Sequence, residues 1–103
     1  MSTTTPPSAT SEGLARLHTE VRNAVAVANN SLAMRSAHPT YGYSKQRVRD
    51  ELARVYTLVE AHMYATGEWQ QSGLPIRATL DDYAKTKLDV DTAALAQRVK
   101  DEL

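Results

Sequence analysis

The chain has no cysteine and no phenylalanine, and large aliphatic residues are scarce. Without cysteine, disulfides, thiolate catalysis and cysteine-based zinc sites are excluded, and the absence fits the cytosol. Ten Leu, eight Val and one Ile among 103 residues fall below the roughly 20% at which composition begins to resemble disorder. The other half of that signature is a large net charge. It is missing, because twelve basic residues face twelve acidic ones. The same balance leaves no strongly basic face for nucleic acid and no polyacidic tail. No stretch approaches the roughly 18 apolar residues that span a membrane. Residues 1–13, MSTTTPPSATSEG, have neither the basic start nor the apolar run of a signal peptide. They read as a flexible Ser/Thr/Pro-rich tail ahead of a single helical domain over 14–103.

What is present is alanine and helical period. Val48, Leu52, Val55, Val59 and Met63 recur every three or four residues between Ser44 and Thr66, which places them on one stripe of a helix. Ser44 is suited to cap its start and Gly67 to end it. A first helix, about Ser11 to Arg35, carries a matching stripe of Leu14, Leu17, Val21, Val25, Ala28 and Leu32. Val27 and Met34 fall on its other side, where they would touch later helices or an oligomer contact. Between the helices, His38-Pro39-Thr40-Tyr41-Gly42-Tyr43 breaks the period. If the chain folds back at Thr40, residues whose numbers add to 80 stand level. Leu32 then meets Val48, Ala28 meets Leu52, Val25 meets Val55, Val21 meets Val59 and Leu17 meets Met63. The stripes mirror each other as an antiparallel αα-hairpin requires, with arms about 33 Å long at the helical rise.

After Gly67 a polar connector runs to Ala78, too polar for a strand and interrupted by Pro75. Its Trp69, Leu74 and Ile76 are expected to fold over the end of the hairpin. Thr79 opens a short helix with Asp82 as capping partner and with Leu80, Tyr83, Ala84 and Leu88 inward. Asp91 caps a last helix striped by Leu95, Val99 and Leu103, with Val90 and Leu95 as a hydrophobic staple. The fold class is therefore all-α: a long antiparallel αα-hairpin with two short C-terminal helices packed against it, a small helical bundle. The closing Lys100-Asp101-Glu102-Leu103 spells a lumenal retention signal. That signal has meaning only inside the secretory pathway. Here the residues read as the end of an amphipathic helix.

Candidate chemistry is sparse. His18 and His62 stand level in the hairpin and could share a metal or form a pH-sensitive pair. No third ligand is evident, and a separation beyond about 6 Å would exclude a shared ion. No nucleophile–base arrangement, phosphate loop or carboxylate pair stands at diagnostic spacing. The sequence therefore predicts no enzyme and implies no cofactor. Five tyrosines and one tryptophan, with no phenylalanine, suit surfaces that are half apolar and half wet. Tyr41 and Tyr43 at the hairpin tip, Tyr64 on the back of the second helix, and Trp69 are candidate partner-binding residues, with the basic Lys45, Arg47 and Arg49 beside the tip. Asp50 and Glu51 interrupt that basic run, and Asp50 to Arg54 is a favourable helical pair. A thin core argues mildly for further burial. The expected function is a non-enzymatic, cytoplasmic protein–protein interaction module (an adaptor, inhibitor or assembly factor) whose partner is another protein or a second copy in an oligomer. The alternative is a small DNA-binding regulator using residues 79–103 as a helix-turn-helix-like pair, although Asp89 stands where that turn usually has glycine.

Overall fold

Thr10 fixes where the first helix begins, because its hydroxyl accepts the N–H of Gly13 at 3.0 Å and so satisfies one of the free donors of the first turn. A computed structural model describes residues 10–40, 42–68 and 76–103. Helix α1 spans Ser11–Ala37, so residues 11–13 form its first turn. Helix α2 spans Lys45–Ala65, capped by Ser44 through a 3.1 Å bond from Arg47 N–H. Thr66 caps its end, and Gly67 follows with a φ of 80°, the left-handed conformation in which a side chain is strained. The two helices pack antiparallel as a hairpin. Among the residues paired by the mirror register, Leu32, Val48, Val21 and Val59 are fully buried, and Ala28 and Leu52 are buried with them. Burying each of the larger aliphatics contributes about 1.5–3 kcal/mol.

Helix α3 covers Arg77–Tyr83 and runs directly into a π turn, Ala84–Leu88. The sequence places the start of this helix at Thr79 with Asp82 as its capping partner. The structure starts it two residues earlier, with Ile76 in the capping position and no side-chain cap. Leu80 N–H already bonds to the Ile76 carbonyl at 3.1 Å, so Thr79 lies inside the first turn and has no free N–H ahead of it to cap. Leu80, Tyr83, Ala84 and Leu88 are buried as expected. Ile76, expected over the hairpin end, is instead 67% exposed, while Trp69, Leu74 and Tyr41 lie outside the described residues. Asp89 ends the π turn with φ 55°, a left-handed position that a short polar side chain tolerates. Helix α4 spans Thr92–Glu102 and is capped by Asp91, whose carboxylate accepts Ala94 N–H at 3.0 Å. Val90 and Leu95 are both buried, as a staple requires.

The C-terminal arm of α3, π turn and α4 covers one side of the hairpin. Asn29 and Ser36 of α1 bond to Arg98 and Glu102 of α4, and His18 reaches the Leu88 carbonyl. At 100° per residue, Val27 and Met34 of α1 point to the opposite side. They remain 50% and 40% exposed. Among the described residues every regular element is helical, and no helix is long and apolar enough to cross a membrane.

The turn between α1 and α2 depends on Gly42. A Cβ there would stand 2.6 Å from the His38 carbonyl and 2.8 Å from Arg35 Cα, against backbone that cannot step aside. At Gly67 a Cβ would meet nothing within 4 Å, and only the positive φ opposes it. Gly67→Ala is therefore expected to cost about 1–2 kcal/mol, and Gly42→Ala to cost more, through overpacking. Urea unfolding of the two variants checks this order.

Candidate functional site

Among the described residues the basic–aromatic tip does not assemble into one surface. Tyr43 is half-buried, with the Arg47 guanidinium 3.8 Å above its ring and its carbonyl accepting from Arg35 Nη1 at 2.9 Å. Arg47 also pairs with Glu51, Nε to Oε2, at 3.1 Å. Lys45 and Arg49 are exposed but lie two residues either side of Arg47, about 200° around the helix from it. The basic run is thus divided between two sides of α2. Asp50 accepts from Gln46 at 2.7 Å. Tyr64 is 53% exposed but sits about 26 Å along the helix from Arg47 at the helical rise. Of the residues singled out from sequence, Tyr43 and Arg47 are brought together, Lys45 and Arg49 share the other side of α2, Tyr64 lies far along the helix from both, and Tyr41 and Trp69 lie outside the described residues.

Two polar networks hold the C-terminal arm in place. In the first, the Asp81 carboxylate accepts from Tyr56 Oη at 2.7 Å and from Thr92 Oγ1 at 2.6 Å, joining α2, α3 and α4. Burial, with help from the Asp81 bond and charge, pushes the Tyr56 phenol up to about 12, so it stays a donor. The Arg77 guanidinium lies 3.9 Å over the Tyr56 ring. In the second network, Thr66 Oγ1 donates to the Met63 carbonyl at 2.9 Å and therefore accepts from Tyr83 Oη at 3.2 Å. With its proton committed there, Tyr83 Oη accepts from His62 Nδ1 at 2.7 Å. Neutral His62 thus carries its proton on Nδ1. His18 donates from Nε2 to the Leu88 carbonyl at 2.7 Å, one of the carbonyls that the end of the π turn leaves free.

The rings of His18 and His62 meet edge to face with centroids 6.3 Å apart. That exceeds the roughly 6 Å allowed to two imidazoles whose nitrogens each lie near 2 Å from one ion, and each ring already spends a nitrogen on a protein partner. Among the described residues no group of three or more His, Asp or Glu is placed to hold a metal. The pair is structural: it fastens the arm to the hairpin.

On the uncovered side, α1 and α2 form a groove of about 270 Å³ lined by Glu20, Asn23, Ala24, Val27, Glu51 and Arg54. Glu51 gives one oxygen to Arg47, and its Oε1 is buried with no hydrogen-bond partner. Ser31 Oγ on the same side of α1 is also buried without one. Arg54 enters no ion pair among the described residues. Sequence reading found the second apolar side of α1 at Val27 and Met34. It missed Glu51 and Arg54 as its neighbours, although the level rule puts Val27 beside Ala53, between them. Comparison with known protein families, with characterised proteins and with solved structures found no match.

His62 gives the domain a pH dependence. Burial holds its pKa below the ordinary 6.5, His18 adds to the effect and Glu68 opposes it. The unfolded chain therefore binds a proton here at pH values where the folded chain does not. Stability from this group is complete above the unfolded pKa and declines as pH falls from there toward the folded one. Melting temperature measured from about pH 8 down to about pH 5 is expected to fall more steeply for the wild type than for His62→Gln. Equal slopes would assign the dependence to other groups.

Proposed function

We propose that this chain is a non-enzymatic helical interaction module, an adaptor, inhibitor or assembly factor of the cytoplasm, that works through the side of its hairpin left uncovered by the C-terminal arm. The observation that carries this reading is the exposure of Val27 and Met34 beside a groove containing a buried carboxylate oxygen without a donor. A buried acceptor without a donor carries a desolvation penalty, and a donor arriving in the groove relieves it once the Glu51 carboxylate, 15% exposed, turns outward. Apolar side chains flanking such a point supply burial and exclude water around it. The tip contributes less to this reading, because Tyr43 and Arg47 are already engaged with each other and with Glu51.

A DNA-binding role for residues 79–103 draws support from Asp89, which adopts the left-handed conformation expected of the turn glycine. The first turn of α4 favours it less. Thr92 is fully buried there, where a recognition helix would present its N-terminal residues to base edges. A mobility shift at low ionic strength would support that alternative.

Affinity capture from the native host with wild type and with the double variant Val27→Asp/Met34→Asp tests the module. Both positions are exposed, so helicity by circular dichroism is expected to be unchanged. The module reading expects co-purifying protein, whether a different chain or untagged copies of this one, that is lost with the double variant. Identical capture by both would contradict it.

A further inference from the structure

The uncovered side of the hairpin is complementary to itself. Glu51 and Arg54 both line the groove, one turn apart on α2, and flank the level of residues 52 and 53. The mirror register puts that level opposite residues 27 and 28 of α1, where Val27 stands half-exposed. A twofold axis lying in the plane of this side, across both helices at that level, sets α1 against α1 and α2 against α2, each pair antiparallel. It brings Val27 against Val27 of a second copy. The same operation sets Arg54 against Glu51 of the other copy, twice, by symmetry. Each Arg54, in no ion pair among the described residues, then stands level with the other copy's Glu51, whose Oε1 lacks a donor among the described residues. Met34 falls level with residue 21 of the other copy, beside Ala24 and the aliphatic stem of Glu20. Such pairwise reciprocity is what an isologous contact demands of a surface.

Resting on the module reading above, we infer that the partner at this surface is a second copy of the chain, and that the two hairpins close into an antiparallel four-helix bundle with the C-terminal arms on its outer sides. The area is sufficient for this. A side about 30 Å long and about 18 Å wide, from the helical rise and interhelical spacing, buries on the order of 1,100 Å² over both copies, near the lower end for specific interfaces. The formal net charge of zero sets no overall repulsion between copies. The bond from Arg54 is charge-assisted, and its removal leaves Glu51 with Arg47 alone and its Oε1 without a donor among the described residues. The contact is thus of modest area with its specificity concentrated at two symmetry-related charge pairs and one apolar centre, and the dimer dissociates on dilution.

Charge reversal tests both the partner and the register. Arg54→Glu sets two carboxylates against each other twice per dimer, and Glu51→Arg sets two guanidinium groups against each other twice. Each variant alone is expected to weaken self-association by at least about tenfold in sedimentation velocity. An equimolar mixture of the two restores both pairs with correct sign and is expected to recover a dimer. Val27→Arg, at a half-exposed position that tolerates charge in the monomer, is expected to remain monomeric at every concentration. Wild type that stays monomeric up to millimolar concentration, or folded variants that associate as the wild type does, would overturn the dimer. A mixture that stays monomeric would overturn the register. If the dimer fails while the captured protein is still lost with Val27→Asp/Met34→Asp, the module stands and its partner is another chain. If capture is also unchanged, both fail.

Discussion

The carboxylate of Asp81 is the point on which the tertiary arrangement turns. It belongs to α3 and receives hydroxyl donors from α2 and from the first residue of α4, at 2.7 and 2.6 Å. Bonds to a charged acceptor each contribute about 1.5–3 kcal/mol net, a large share of the stability of a small domain. Loss of the carboxylate would also strand the buried Thr92 hydroxyl and leave Tyr56 Oη only the Thr92 carbonyl at 3.4 Å. The Tyr56 phenol held up to about 12 keeps the donor in its donor form across the whole physiological range. With few large aliphatics available, directional polar bonds position helices that a thicker apolar core would position by shape alone.

The second network, through His18, His62, Tyr83 and Thr66, fastens the other end of the same arm. Together the two networks place α3, the π turn and α4 against one side of the hairpin, and among the described residues no element covers the other side. The proposed function rests on this asymmetry. A two-helix hairpin has two flanks, and the described residues after α2 cover one. The bare flank keeps Val27, Met34 and an unsatisfied carboxylate oxygen, features that a monomer evolved only for its own stability has reason to avoid.

The hairpin was legible in the sequence because its information is one-dimensional. Two apolar stripes of helical period, mirrored about His38–Gly42, define both the pairing and the register, and Ser44, Gly67 and Asp91 mark helix ends by their own chemistry. The start of α3 was not legible, because Ile76 caps nothing and Thr79 looks the better cap from its side chain alone. The π turn was hidden for a similar reason, since a shift from i−4 to i−5 bonding carries no residue signature of its own. The roles of the histidines were half visible. Their level placement followed from the register, but His18's partner is the backbone carbonyl of Leu88, which no side-chain pattern encodes. The side of the hairpin taken by the arm was not encoded in the stripes at all, as both flanks border them equally. Asp81 chose it, by reaching Tyr56 and Thr92. The division of Lys45, Arg47 and Arg49 around α2 followed from their odd spacing and could have been read from helical geometry.

The central inference is that two copies of this chain meet through the flank of the hairpin opposite the arm. Amide chemical shifts of the wild-type chain, followed through a dilution series, test it most directly. Concentration-dependent shifts are expected at Glu20 to Met34 on α1 and at Glu51 to Ala61 on α2, with α3, the π turn and α4 unchanged. Shifts centred on Tyr43, Lys45 and Arg49 or on α4, or spectra that do not change with concentration, would contradict it.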